Sequence, residues 1–181
     1  MNLLFRFLLV LLGARRRARL QPLGESVVRF RVLPPDLDAN LHMNNGRYLS
    51  LMDLGRLDLI ARMGLLRHLA RRRWRPVVGS LAIRFRRSLQ PLQAYTLHSR
   101  LLCWDAKWFY IEQRFERGGQ TVAVAVVKGL FRGPAGNVPP QAVVSLIAPG
   151  FASPEMPAAL AEWQDAEAQM LSSSALVPEA Q

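Results

Sequence analysis

Between Asp36 and Asn45 the chain crowds two carboxylates, three carboxamides and one imidazole into ten residues: Asp36, Asp38, Asn40, His42, Asn44 and Asn45. Hydrolysis of an ester-type bond needs a base or nucleophile, a group that orients water, and donors aimed at the developing oxyanion. This segment holds all three. Asp38 is the candidate general base or nucleophile, a role that requires its carboxylate to stay ionised. Asn40 is placed to hold water or the carbonyl, and His42 to orient the loop or assist proton transfer. The N–H groups that open the following helix, around Asn45 to Arg47, are candidate donors to a carbonyl oxygen, helped by the positive end of the helix dipole. No metal or other cofactor is required. If the leaving group is a thiolate, its conjugate acid has a pKa of roughly 8.5 by analogy with cysteine, so one well-placed carboxylate can suffice. Taken singly, each residue also has a plain structural use: Asn44 or Asn45 as a helix cap, Asp36 and Asp38 as stabilisers of the turn and the helix dipole.

The elements that must position this loop are legible on both sides of it. Val28, Phe30 and Val32 alternate with Arg29 and Arg31, the period of a half-buried strand, and Pro34-Pro35 ends the pattern. From Asn45 to about Arg62, Tyr48, Leu49, Leu51, Met52, Leu54, Leu57, Leu59 and Ile60 cover most of a helical wheel without a proline. A helix so apolar must be wrapped by other structure. Gly55 would admit a close neighbour, and Asp53 and Asp58 are at helical spacing from Arg56 and Arg62, which predicts ion pairs rather than catalysis. Arg71 to Pro76 reads as a basic, proline-ended connection. A strand follows through Leu81, Ile83 and Phe85, and then strands over Tyr95–Trp104, Lys107–Arg117 and Thr121–Phe131, joined by short turns as an antiparallel meander. The last of these is apolar on both faces and is expected to be central. Residues 133–157 read as an irregular connection, and Pro154–Met170 as a terminal helix with a frayed tail. Strand, buried helix, then strands is an α+β order in which one helix lies across one curved sheet.

The chain has 181 residues, half of them hydrophobic, and 24 Lys and Arg against 13 Asp and Glu, a net charge of +11. That is one domain with tails: residues 1–24 as an apolar and basic leader, 25–135 as the domain, and 136–181 as the connection and C-terminal helix. The excess is nearly all arginine and favours anionic partners, whether a coenzyme's phosphates, an acidic carrier protein, a phospholipid surface or nucleic acid. Nucleic acid is the weakest of these, since no nucleic-acid fold signature accompanies Arg71–Arg73 or Arg84, Arg86 and Arg87. Cys103 is the sole cysteine, which excludes an intrachain disulfide, and its apolar context reads as a small buried hydrophobe. The leader, apolar from Met1 to Leu12 and then basic at Arg15, Arg16, Arg17 and Arg19, is too short to span a bilayer and has its charge on the wrong side for an export signal. It is either an interfacial anchor or a helix packed on the domain. A cytoplasmic protein is expected, on the cytoplasmic face of a membrane if the leader does anchor it. His68 and His98 have no ligand-spaced neighbours and read as ordinary surface or packing residues, and the four tryptophans read as packing rather than a stacking platform.

The run Asp38-Ala39-Asn40-Leu41-His42-Met43-Asn44-Asn45-Gly46-Arg47-Tyr48 resembles the signature of hotdog-fold thioesterases that act on acyl-CoA and acyl carrier protein. The longer correspondence from Val32 to Leu49, with Arg86–Leu89 and Leu101–Asp105, is similar to the thioesterase superfamily member six proteins. The resemblance implies a long buried helix wrapped by a curved antiparallel sheet and subunits paired edge to edge as a homodimer or higher homo-oligomer. It further implies acyl thioesters of CoA or a carrier protein as substrate, Asp38, Asn40 and His42 as catalytic residues, and Asn44, Asn45, Gly46, Arg47 and Tyr48 beside the substrate. The glutamate that some hotdog thioesterases carry on the helix is not present here. Two other readings go with the same fold: a non-catalytic acyl-binding or membrane-associated protein, and an enoyl-thioester hydratase. For the latter, Leu41 following Asn40 where that pattern has proline, and His42 only four residues after Asp38, are departures.

Overall fold

The computed structural model describes residues 3–174. In chain order the elements are α1 (Leu3–Arg16), β1 (Ser26–Arg31), a 3-10 turn (Pro34–Asp36), α2 (Asn45–Arg62), α3 (Leu66–Arg72), β2 (Arg75–Phe85), β3 (Ala94–Trp104), β4 (Phe109–Arg117), β5 (Gln120–Gly133), β6 (Gly136–Val138), α4 (Pro140–Val144) and α5 (Ala158–Ser174). The sheet runs β1-β3-β4-β5-β2, every pair antiparallel, with β6 folded back on the end of β5.

Both ends of α2 are closed by local chemistry. Asn44 caps the amino end, its Oδ1 accepting from the Gly46 N–H at 2.8 Å. At the carboxyl end Gly64 adopts a positive φ of 81°. There the Leu65 N–H reaches the Ile60 carbonyl at 3.1 Å and the Gly64 N–H the Ala61 carbonyl at 3.0 Å, the two bonds of a Schellman stop. Between these ends Tyr48, Leu51, Met52, Leu54 and Leu59 are buried, and α2 packs on β1, β3 and α1. The predicted pairs Asp53 with Arg56 and Asp58 with Arg62 both form.

Gly55 sits where α2 is pressed hardest against the sheet. A Cβ there would lie 2.6 Å from Ser99 Oγ, 2.8 Å from Leu97 Cδ2 and 2.9 Å from Gln113 Nε2. These neighbours cannot retreat cheaply, because buried Gln113 donates to the Met52 carbonyl and to Ser99 Oγ while accepting from Arg56. Gly55→Ala is therefore expected to lower stability by about 2 kcal/mol through overpacking. Urea unfolding checks it: the midpoint should fall at constant slope, and an unchanged midpoint would show that the helix can lift off the sheet.

Four expectations need correction. Thr121–Phe131 was expected to be the central strand, but β4 holds the middle of the path. β5 is interior and second from the edge, because the crossover through α2 and α3 delivers β2 outside it. Both faces of β5 are still covered, which accounts for its apolar pattern. Arg71–Pro76 is not a connection: Arg71 and Arg72 end α3, Arg73 closes it with a positive φ of 54°, and Arg75-Pro76 opens β2. Proline is tolerated there because β2 is an edge strand. Residues 133–157 contain β6 and α4, each too short to show periodicity. The C-terminal helix begins at Ala158, after Pro157, and the expected frayed tail lies outside the described residues from 175 on.

The leader is a helix packed on the domain. Arg6, Val10 and Ala14 of α1 are buried against α2 and the open edge of β1, where arginines stand in for a missing strand. Arg6 Nη2 donates to the Arg31 carbonyl at 3.2 Å and Arg17 Nη1 to the Val27 carbonyl at 2.8 Å, so the exposed edge is covered. Arg17 also pairs with the buried Asp58 at 2.5 Å. Burial pushes the Asp58 carboxyl above its ordinary value, opposed by the Ser26 hydroxyl, Arg17 and Arg62. The outer face of α1 is apolar and exposed at Leu4, Phe5, Leu8, Leu9 and Leu12. Among the described residues no helix is long and apolar enough to cross a membrane.

Candidate active site

The segment between β1 and α2 is folded as a small hairpin. Leu37 and Met43 form an isolated antiparallel bridge, the Asp38 N–H donates to the His42 carbonyl at 2.9 Å, and the Leu41 N–H returns to the Asp38 carbonyl at 3.0 Å. Closing so tight a turn puts exposed Leu41 at a φ of 57°, a strained position for a branched side chain. Met43 pins the hairpin to the segment after β2, its N–H donating to the Leu89 carbonyl at 2.9 Å.

Asp38 is half-buried at the mouth of this turn. Its Oδ1 accepts from the Asn40 N–H at 2.9 Å and the His42 N–H at 3.3 Å, while Oδ2 has no hydrogen bond among the described residues. One oxygen thus holds the turn and the other is free for a proton or a carbonyl carbon. Asn40 is exposed and His42 half-buried beside it. The three candidate catalytic residues therefore share one turn adjoining the amino end of α2, which begins at Asn45.

The N–H donors there differ from expectation. Asn44 takes two of them, the Gly46 N–H on its side chain and the Arg47 N–H on its carbonyl at 2.9 Å. That leaves Asn45 as the one of the three whose N–H has no partner among the described residues. Asn44, Asn45 and Gly46 are exposed. Arg47 is turned back into the protein, its Nε 3.1 Å from Asp36 Oδ1. Tyr48 is in the core, edge-on to Phe85 and Phe115, and burial pushes its hydroxyl up to about 12 against a hydrogen bond with the Leu89 backbone. The geometry brings Asp38, Asn40, His42, Asn45 and Gly46 together at the surface and sets Arg47 and Tyr48 beneath them.

Beneath the site lie Asp36, read from the sequence only as a stabiliser of the turn and the helix dipole, and Arg6, which the sequence did not single out. Asp36 is fully buried and receives Arg6 Nη2 at 2.5 Å, Arg47 Nε at 3.1 Å and the Leu33 N–H at 2.9 Å. Its carbonyl accepts the Asn44 N–H at 2.8 Å. The available signal was Arg6 itself, the one charge within the apolar run of the leader.

A cavity of about 510 Å³ opens between the carboxyl half of α2, α3 and the β2–β5 side of the sheet. Leu54, Leu57, Ile60, Leu69, Trp74 and Phe131 line it, with Asp53 and Arg56 on α2 as its charged members. None of the eight sequence-predicted residues borders it. Leu54 is nine residues beyond Asn45, about 14 Å along the helix axis. An exposed face of α2 through Asn45, Leu49 and Asp53 connects the two places. Among the described residues no group of three His, Cys, Asp or Glu side chains is arranged to hold a metal ion. Cys103 is buried among apolar neighbours, which pushes its thiol up.

Solved structures with this fold include a probable thioesterase from Bartonella henselae and a gentisyl-coenzyme A thioesterase. The first has a TM-score of 0.59 and 21% identity, covering 64% of this chain and 98% of its own. The second has a TM-score of 0.58 and 20% identity, covering 67% and 98%. The fold is thus the hotdog fold shared with thioesterases. Protein THEM6 of Xenopus laevis is 35% identical over 163 residues, 86% of this chain and 78% of that protein. Protein THEM6 of Danio rerio is 44% identical over 93 residues, 51% of this chain and 46% of that one, so the chain spans about half of that relative's length. With the family model matched from residue 32 to residue 164, the chain belongs to the thioesterase-like superfamily.

Proposed function

We propose that this chain hydrolyses acyl thioesters of coenzyme A or of an acyl carrier protein. Water adds to the thioester carbonyl, the carbon–sulfur bond breaks, and a free acid and a thiol leave. Asp38 serves as general base or nucleophile through Oδ2, Asn40 holds the water or the carbonyl, and His42 keeps the turn in place or relays a proton. The Asn45 N–H and the amino end of α2 receive the oxyanion, and Asn44 and Gly46 shape the surface the thioester meets. The observation that carries this function is Asp38 Oδ2, without a hydrogen bond among the described residues, in the turn that leads into α2.

The acyl chain runs along the exposed face of α2 past Leu49 towards the apolar cavity at Leu54 and Leu57. Arg86 and Arg87 are exposed just before Leu89, the residue bonded to Met43, and so offer charge to the carrier's phosphates beside the loop. The unpaired edge of β2, with Val77, Val78 and Phe85 exposed, is a template for a second copy, which would roof the path between loop and cavity.

Thiol release from acyl-CoAs of graded chain length tests the reaction. Turnover by the purified chain, in a preparation that sediments as a dimer or larger, is the expected result. Tight acyl-CoA binding without thiol release would instead establish a non-catalytic acyl-binding protein, and hydration of an enoyl-CoA would establish the hydratase.

The apolar outer face of α1, flanked by exposed Arg15, Arg16 and Arg19, favours a further role in which α1 lies on an anionic lipid surface. Cosedimentation with phosphatidylserine vesicles should be lost in Leu4→Ser/Leu8→Ser, and equal binding by wild type and variant would refute it.

A further inference from the structure

We propose that Arg6, in the leader helix, is a positioning residue for the thioester site. The turn that carries Asp38, Asn40 and His42 is strung between Asp36 and Asn44, and both of its ends are fixed by Asp36. The Asp36 carbonyl holds the Asn44 N–H, and the Asp36 carboxylate holds Arg47 in the first turn of α2. That carboxylate is wholly buried, and Arg6, only 4% exposed, is the donor that closes on its Oδ2 together with the Leu33 N–H. Arg6 also packs its guanidinium 6.0 Å from the centre of the Phe30 ring and bonds the last carbonyl of β1. It therefore links α1, the end of β1 and the start of α2 through one aspartate.

Without the guanidinium, Oδ2 keeps a single neutral donor in a site closed to water. A buried carboxylate so stripped must protonate, rotate towards Arg47 or draw solvent in. Protonation removes the charge that holds Arg47, and rotation or entering solvent displaces the side chain, so each response loosens the Asp36 anchor of the turn. A misplacement of about 1 Å at a reacting group is enough to lower a rate by about a hundredfold.

A simpler role is that Arg6 merely fastens α1 to the domain. Arg17 makes the separation possible, because just past the end of α1 it fastens the same segment through a strand-edge carbonyl and a buried aspartate, but does so at Asp58, away from the loop. Arg17 is the more exposed of the two, so fastening alone predicts that each variant disturbs the loop only in proportion to the stability it costs. Positioning predicts a loss at the loop in the Arg6 variant beyond what its loss of stability explains.

The inference rests on the hydrolase function proposed above, so the test has one arm that needs activity and one that does not. In the first, Arg6→Met should lower kcat at least about tenfold with KM little changed, while Arg17→Met stays within about twofold of wild type. In the second, amide hydrogen exchange in residues 37–44 should quicken in Arg6→Met and not in Arg17→Met. Arg6→Lys, which keeps a charge near Asp36, replaces Arg6→Met if that variant does not fold, and should show a smaller loss of the same kind. Equal effects of the Arg6 and Arg17 variants in either arm overturn the inference, as does an unchanged loop and kcat in the Arg6 variant. If the wild type releases no thiol from any acyl-CoA, the hydrolase function fails, and the exchange arm alone decides whether Arg6 positions the loop.

Discussion

Asp38→Asn should lower kcat for acyl-CoA hydrolysis by about 10²- to 10⁴-fold, roughly 3 to 5 kcal/mol of transition-state stabilisation, while leaving KM within a few-fold of wild type. The substitution separates the two oxygens of this side chain. A carboxamide oxygen can still accept from the Asn40 and His42 N–H groups, so the turn that Oδ1 holds should survive. What is lost is the anionic Oδ2, the atom without a partner among the described residues, and an amide nitrogen in its place neither accepts a proton nor attacks a carbonyl. Asp38→Ala would remove the turn's acceptor as well and confound chemistry with folding. Matched near-ultraviolet circular dichroism and melting temperature confirm that Asp38→Asn is folded. Thiol release that persists within about threefold of wild type in that folded variant would take the base or nucleophile away from Asp38.

Much of the frame around this site was readable from local pattern. The long helix was placed at Asn45 to about Arg62, as observed, because the apolar positions are free of proline and a capping asparagine stands before them. Gly55 could be marked as a place of close approach, although what approaches is three side chains of the sheet rather than a backbone. The long antiparallel strands announced themselves by alternation and short turns. What was not readable depends on contacts far apart in sequence. The position of β2 outside β5 is decided by pairing over some fifty residues, and alternation within a strand carries no trace of its neighbour. The same ignorance made Pro76 look like a terminator, when an edge strand accommodates it.

The loop shows the same division. That Asp38, Asn40 and His42 share one turn follows from their closeness in the chain. That Asn44 would take the N–H groups of both Gly46 and Arg47, leaving Asn45 alone with one to offer, depends on a side-chain rotamer and was not foreseeable. Arg47 was placed beside the substrate by the family resemblance alone; the structure engages its side chain with Asp36, whose other partner Arg6 lies thirty residues away. The cavity's place at the other half of α2 likewise emerges only once α3 and the end of β5 are packed against it.

Asp36→Ala is expected to destabilise the protein by about 3 to 5 kcal/mol, the largest loss of stability from any single side chain of the loop. The reason is not the strength of the ion pair, since burying both charges forfeits much of what their attraction returns. It is the state left behind: a guanidinium 4% exposed on α1, a Leu33 N–H without its acceptor and a void beside the 3-10 turn. Arg47 contributes less, because its side chain is partly exposed and can turn towards solvent. A double-mutant cycle with Arg6→Met isolates the charge from the packing. If uncompensated burial dominates, the double variant should be more stable than Asp36→Ala alone, because removing the second charge relieves the penalty created by removing the first. Additive losses in urea unfolding, or a loss below about 1 kcal/mol for Asp36→Ala, would mean that water reaches this pair, and Asp36 would then be an ordinary turn residue rather than the anchor of the loop.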